Sequence, residues 1–140
     1  MWLTRRYEFS AAHVLARPDW DEARNRSTYG KCANPAGHGH NYVLEITVRG
    51  ELDRRSGRIV LPEVLDRAVQ ERVLGPLAGR FLNRETAVFR ERVPTAENIA
   101  AFAWGALQDH VAPALLDAVR LQETPKNAVE LEGARTGSGA

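Results

Sequence analysis

Three of the four histidines in the sequence stand at positions where they could bind one metal ion. His38 and His40 are two residues apart, and residues two apart on a β-strand point to the same face. On a paired strand, His13 can bring a third imidazole nitrogen to the same place. Three nitrogens and an open fourth position are typical of catalytic zinc sites, because structural zinc sites are closed by four protein ligands. The spacing therefore predicts a catalytic zinc site.

Other interpretations of the histidines remain open. A His-x-His pair is by itself weak evidence, since ordinary turn histidines also have this spacing. Gly37 and Gly39 favour the ligand role, because glycine lets the backbone come close to a metal ion. His110 is predicted near the C-terminal end of a helix, where the helix dipole favours a positive ring, and we interpret it as a structural or surface residue.

Cys32, the single cysteine, is a second candidate for chemistry. It lies six residues before His38, in a polar stretch that contains Lys31 and Asn34. A cysteine acts as nucleophile or base in its thiolate form, which a nearby ammonium group or metal ion favours. Cysteine is also a common buried structural residue. The polar surroundings favour a chemical role over a structural one.

The elements that must position these residues are predicted from the spacing of apolar side chains and from turn and capping residues. Residues 16–37 show no periodic spacing of apolar side chains, and this region is predicted to be a long functional loop. Pro62 opens a predicted helix at 62–73, and Thr95 caps a second helix whose apolar stripe continues to Leu107. The predicted strands are 2–12, 42–50, 118–123 and 128–131, and the last two form a hairpin through 124–127.

This element order, ββααββ, predicts an α+β fold in which both helices cover one face of a four-stranded antiparallel sheet. The two open edges of such a sheet favour pairing between subunits. We expect one domain over residues 1–133, followed by a small, polar and disordered tail over 134–140.

Composition narrows the possible partners and location. Nineteen Lys and Arg oppose 18 Asp and Glu for a net charge of +1, which gives no excess of positive charge for nucleic acid. No apolar run is long enough for a membrane helix. One cysteine cannot form an intramolecular disulfide, and the charged N-terminal residues do not suit a signal peptide. We therefore expect a cytoplasmic protein with no nucleic-acid or membrane partner.

Taken together, the motifs resemble the 6-pyruvoyltetrahydropterin synthase family over residues 3–133. The segments that carry the resemblance are Phe9-Ser10-Ala11-Ala12-His13, residues 29–42 with the Gly-Lys-Cys and Gly-His-Gly-His-Asn-Tyr motifs, Pro94-Thr95-Ala96-Glu97-Asn98 and Glu123-Thr124. The resemblance implies a zinc lyase that acts on 7,8-dihydroneopterin triphosphate. It also implies the T-fold and a homo-hexamer of two stacked trimers with active sites at subunit interfaces.

The resemblance also assigns roles to individual residues. It implies that His13, His38 and His40 bind zinc and that Cys32 is the catalytic thiol. Glu123 would anchor the pterin, because a carboxylate accepts paired hydrogen bonds from the amide and amino groups of the ring. Thr95 would complete the pterin pocket. Without the resemblance, Glu123 is better interpreted as an exposed carboxylate at a strand end.

The chain departs from the family pattern after the first predicted helix. Members usually carry a Leu-Asp-His segment whose histidine shares proton transfer with the cysteine, and this chain has Leu77-Ala78-Gly79. Loss of a positioned acid or base typically costs on the order of a hundredfold to ten-thousandfold in rate. Either another group substitutes, with His110, Arg80 and Asp109 as candidates, or the protein binds a pterin with altered or no catalysis.

Several functions therefore remain as hypotheses. A zinc lyase could form the 6-pyruvoyl product or, like the related 6-carboxytetrahydropterin synthase of the queuosine branch, the 6-carboxy product. Cleavage to a 6-hydroxymethyl pterin is less favoured, because relatives specialised for it usually carry glutamate where this chain has Cys32. The alternative from another class is a non-catalytic protein that binds pterin or metal.

Overall fold

A four-stranded antiparallel sheet forms the centre of the computed structural model, which describes residues 1–134. Its strands follow the chain in the order β1-β2-β3-β4. They are β1 (Trp2–His13), β2 (His38–Arg49), β3 (Leu115–Thr124) and β4 (Asn127–Glu132). The helices are α1 (Glu22–Tyr29), α2 (Pro62–Val69), α3 (Gly75–Leu77), α4 (Leu82–Glu85) and α5 (Ala96–Leu107), with 3₁₀ turns at Gly30–Ala33 and Ala87–Arg90. The predicted α+β class and antiparallel sheet are confirmed.

The strands are longer than the sequence pattern predicts. β2 begins at His38 rather than at residue 42, so both of its histidines lie within the strand. β3 begins at Leu115, and β4 is one residue longer at each end than predicted. The predicted turn at 124–127 does connect these two strands.

The prediction of an irregular loop over residues 16–37 is wrong, because α1 occupies the middle of it. The side chain of Asp21 accepts a hydrogen bond from the amide of Arg24 and so caps the helix. Glu22 adds a favourable charge in the first turn and pairs with Arg26 one turn later. Within the helix, only Asn25 is buried. A helix that is polar all round has no apolar stripe, so periodicity could not reveal it.

The first of the two predicted helices is also more irregular than expected. α2 begins with Pro62 in its first turn, as predicted, but from Gln70 to Leu74 the chain forms a π-helical turn. It then continues into the short α3. The second predicted helix is α5, and Thr95 caps it by accepting a hydrogen bond from the amide of Asn98.

The hydrophobic core lies between the helices and one face of the sheet. β2 supplies every second residue to it, and Tyr42, Leu44, Ile46 and Val48 are at most 1% exposed. The strand predicted over 42–50 rests on this spacing of apolar side chains, and their burial agrees with it. Val119 and Leu121 of β3 lie opposite Ile46 and Leu44 and are fully buried as well.

One part of the free edge of β1 is covered by a short segment, Gly79–Asn83, which we call the edge strap. The amide of Gly79 donates to the carbonyl of Ser10 (2.7 Å), and the amide of Ala12 donates to the carbonyl of Arg80 (2.9 Å). Ala12 and Phe81 form a parallel β-bridge. The edge strap therefore continues the sheet beside the last residues of β1.

Two further expectations concern membrane-spanning helices and the C-terminal tail. In the described part of the chain, the structure contains no helix of the length and hydrophobicity that a membrane span needs. Residues 135–140 of the predicted disordered tail lie outside the described residues.

Candidate metal centre

The register of the first two strands brings the three histidines together. His13 pairs directly with His38, and Ala11 pairs with His40. Because cross-strand partners share a face, His13, His38 and His40 all project from the same side of the sheet as the core residue Tyr42. The cluster therefore stands where the apolar core ends, at the edge formed by the end of β1 and the start of β2.

The imidazole nitrogens are close enough to act as ligands of one ion. The three candidate ligand atoms all lie within 4.8 Å of one another. The Nε2 atoms of His13 and His38 are 3.0 Å apart. His13 is completely buried, whereas His38 and His40 are partly exposed. The cluster is therefore covered by the protein core on the side of His13 and accessible to solvent on the side of His38 and His40.

The tautomer of His13 follows from a contact with the segment before α5. Its Nδ1 lies 2.8 Å from the carbonyl oxygen of Pro94, which can only accept, so Nδ1 carries the proton and donates. The Nε2 lone pair then points toward the other histidines. The hydroxyl of Tyr42 lies 3.3 Å from the same Nδ1. A ligating histidine whose second nitrogen donates to a backbone carbonyl is the usual arrangement in metal sites.

Burial lowers the pKa of two of the three histidines. It lowers the pKa of His13, an effect that the bond to Pro94 opposes and that the neighbouring His38 reinforces. Burial likewise lowers the pKa of His38, and His40 adds to the effect. Only neutral imidazole has a lone pair for a metal ion, so these environments favour the ligand form.

Glu123 lies beside the cluster, on the strand next to β2. One carboxylate oxygen, Oε1, is 3.5 Å from Nε2 of His13 and 3.7 Å from Nε2 of His40. The other oxygen, Oε2, accepts a hydrogen bond from the side chain of Asn127 (2.9 Å). Its side chain is 14% exposed. Glu123 does stand at the end of β3, but its side chain is not exposed as the interpretation of a strand-end carboxylate requires, and the structure brings this carboxylate to the histidines.

Cys32 lies in the 3₁₀ turn Gly30–Ala33, between α1 and β2, and is partly buried. Its carbonyl accepts a hydrogen bond from the amide of Leu15, two residues after His13. Its sulfur is not part of the group of ligand atoms formed by the three histidines. The turn is therefore tied to the chain that follows His13, while the thiol is not among the clustered candidate ligand atoms.

The segment without the Asp-His pair is the beginning of the edge strap. Gly79 borders a cavity of about 510 Å³, which Arg80, His40 and Ser10 also line. Neither Ala78 nor Gly79 has a group that can transfer a proton. Of the possible substitutes, His110 lies elsewhere, in a groove beside α2.

Several residues that contact the site were not singled out from the sequence. Pro94 precedes the helix cap Thr95, but its carbonyl contact with His13 spans 81 positions. The side chain of Asn127 donates a hydrogen bond to Glu123 across the hairpin that joins β3 and β4. The side chain of Asn83 bonds to the backbone of Val14, next to His13. Of these, only Asn127 could have been found, because a hairpin brings residues four apart near each other.

The sequence is similar to known enzymes along almost its whole length. A family profile described as 6-pyruvoyl tetrahydropterin synthase matches residues 2–134. A protein named 6-pyruvoyl tetrahydrobiopterin synthase from Drosophila melanogaster is 39% identical over 133 residues, which cover 94% of this chain and 79% of the relative. The Homo sapiens protein of the same name is 35% identical over 131 residues, covering 94% of this chain and 90% of the relative.

The fold is similar to a solved structure from the same group. The structure of Caenorhabditis elegans 6-pyruvoyl tetrahydropterin synthase superposes with a TM-score of 0.89 at 36% sequence identity. The alignment covers 96% of this chain and 96% of that one. The expected T-fold is thereby confirmed.

Proposed function

This chain belongs to the 6-pyruvoyl tetrahydropterin synthase family, and we propose that it is a zinc-dependent lyase acting on 7,8-dihydroneopterin triphosphate. Its product would be a tetrahydropterin with a 6-pyruvoyl or 6-carboxy side chain. The observation that carries the proposal is the convergence of three imidazole nitrogens within 4.8 Å in a chain of this family.

The residues that would hold the metal ion are His13, His38 and His40. Neutral imidazoles are good zinc ligands. The hydrogen bond from Nδ1 of His13 to the Pro94 carbonyl orients this ring, as a bond from the second ring nitrogen usually does in such sites. Three ligands leave a position for substrate, which fits a catalytic rather than a structural ion. Bound zinc would act as a Lewis acid that polarises an oxygen of the substrate side chain.

The other residues would bind substrate and move protons. Cys32, as thiolate, would remove a proton from the substrate side chain as triphosphate leaves. Glu123 would accept paired hydrogen bonds from the pterin ring, a role supported by its low exposure and by the bond from Asn127 that orients it. Thr95, whose hydroxyl caps α5, would complete the pocket.

A second candidate function follows from Ala78 and Gly79. Because neither residue can transfer a proton, the protein could instead bind a pterin and catalyse slowly or not at all. This alternative keeps the roles of Glu123 and the histidines and removes only the chemical step.

Product analysis distinguishes these functions. Purified protein with zinc is incubated with 7,8-dihydroneopterin triphosphate, and pterins are separated by chromatography while released triphosphate is measured. The lyase predicts triphosphate release and a 6-pyruvoyl or 6-carboxy product. Binding of the pterin without triphosphate release over hours would refute the lyase and support the binding protein.

Substitutions separate chemistry from binding. Cys32→Ala should abolish turnover and leave pterin affinity unchanged, because the thiol acts mainly in the transition state. Glu123→Ala should weaken pterin binding first. If Cys32→Ala keeps full turnover, the proton transfer belongs to another residue.

We also propose that the protein assembles as a homo-hexamer with active sites between subunits, in the cytoplasm. The sheet topology supports assembly, because within residues 1–134 β1 and β4 are the outer strands and the edge strap covers only part of β1. Light scattering measures the mass directly, and a stable monomer at micromolar concentration would contradict the assembly.

A further inference from the structure

The edge strap ends in an asparagine that completes the sheet with its side chain. The amide of Val14 donates to Oδ1 of Asn83 (2.8 Å), and Nδ2 of Asn83 donates to the carbonyl of Val14 (2.9 Å). Val14 is the residue directly after His13. The side-chain amide of Asn83 thus replaces the backbone partner that a longer neighbouring strand would supply.

The edge strap also contacts the residue that directly precedes β2. A Cβ atom placed on Gly37 would lie 2.7 and 2.8 Å from two atoms of the Phe81 ring, so the ring packs directly on this glycine. Gly37 is the residue before His38. The edge strap therefore holds the chain on one side of His13 and on one side of His38, although these positions are 25 residues apart.

We propose that Asn83 is a positioning residue that sets the relative placement of the His13 and His38 imidazoles. β1 ends at His13, and a strand end without a partner on its outer side frays. Two hydrogen bonds at Val14 prevent this fraying next to the place where the Nε2 atoms of His13 and His38 lie 3.0 Å apart. Asn83 acts through the backbone and is not itself a ligand.

A merely structural role would give a different result, and the chain contains a matched control. Asn25 makes the same pair of bonds elsewhere: its Oδ1 accepts from the amide of Arg17 (2.8 Å), and its Nδ2 donates to the carbonyl of Arg17 (3.0 Å). Asn83→Ala and Asn25→Ala therefore remove the same pair of bonds, and Asn25→Ala also removes a longer bond to the carbonyl of Trp20 (3.4 Å). Only Asn83→Ala removes them next to a cluster histidine.

The first measurement needs no metal. Imidazole ¹H–¹⁵N signals of the metal-free protein are recorded for wild type, Asn83→Ala and Asn25→Ala. We expect the ring signals of His13 and His38 to shift or broaden in Asn83→Ala and to remain unchanged in Asn25→Ala. If Asn83→Ala fails to fold, Asn83→Asp keeps the acceptor for Val14 and should affect the same two rings. Unchanged ring signals in the folded Asn83 variant would overturn the proposal.

The second measurement, Co²⁺ titration, rests on the proposed metal-dependent function. Asn83→Ala should bind Co²⁺ about tenfold more weakly than wild type, at the lower end of the effect of outer-shell partners, with altered visible absorption bands. Asn25→Ala should match wild type in both. If wild type binds no Co²⁺, the proposed metal function fails while the imidazole signals still decide the role of Asn83.

Discussion

Gly37 allows the packing of the edge strap on β2 to be measured as a free energy. Its φ is +74°, in the left-handed region, and a Cβ there would lie 2.7 Å from the Phe81 ring and 3.2 Å from the carbonyl oxygen of His13. Gly37→Ala should therefore lower the free energy of unfolding for two separate reasons. The substituted residue would be strained, and the ring would have to move.

The two costs can be estimated separately. A non-glycine residue in the left-handed region costs about 1–2 kcal/mol. Forcing an extra methyl group into a packed site typically costs about 1–3 kcal/mol. The guanidinium of Arg84 lies over the Phe81 ring, 4.5 Å from its centroid, and restricts how the ring can move. We expect a total loss of about 2–4 kcal/mol, allowing for partial relaxation of the ring.

Gly57→Ala isolates the steric part of this loss. Gly57 has nearly the same φ, +71°, but a Cβ there would meet no atom within 4 Å. Denaturant unfolding of both variants gives their free energies, and Gly37→Ala should lose about 1–3 kcal/mol more than Gly57→Ala. Combining Gly37→Ala with Phe81→Ala should cost less than the sum of the single losses. Equal losses for Gly37→Ala and Gly57→Ala would refute the packing argument.

The remaining predictions concern the metal, one ion pair and one helix cap. Elemental analysis should find one zinc per chain in wild type and none in His38→Ala. Full zinc retention in His38→Ala would refute a zinc site formed by the three histidines. Asp66 accepts a bidentate pair from Arg5 and a bond from Tyr7, and the Arg5 guanidinium lowers the pKa of the Asp66 carboxyl. The contribution of Asp66 to the free energy of unfolding is therefore complete above the ordinary pKa of about 3.8. It is lost as the pH falls from that value through the lower pKa of the folded state. Acid titration of unfolding should show this loss in wild type and a smaller one in Asp66→Asn. Thr95→Ala should cost about 1 kcal/mol in the same unfolding assay by removing the cap of α5, and no loss would contradict the capping role.

The sequence predicted the parts of the site that depend on local periodicity. The alternation of β2 was visible from Tyr42 onward, and the same period of two placed His38 and His40 on one face. His13 was added by its position at the end of the first strand, and the register confirms that it pairs with His38.

Contacts between distant segments could not be predicted in this way. The bond from His13 to Pro94 joins residues 81 positions apart, and the packing of Phe81 on Gly37 joins residues of different elements. Neither contact leaves a period or a motif in the sequence. α1 was missed for another reason, since its capping by Asp21 is local but its polar surface hides the helix.

The side-chain alternation of β2 places the core residues and the clustered histidines on one face of the sheet, and this limits where residues can be inserted or deleted. His38 and His40 lie an even number of positions from Tyr42 and the core residues that follow, so their side chains point to the same face of the sheet. A single-residue insertion after His40 would turn both histidines to the opposite face, unless a bulge absorbed it, and a deletion would do the same. Length changes in pairs within the strand would keep both histidines on this face but move them about 7 Å along β1, away from their present partners. Changes that leave the cluster intact must therefore fall in the connections outside the strand.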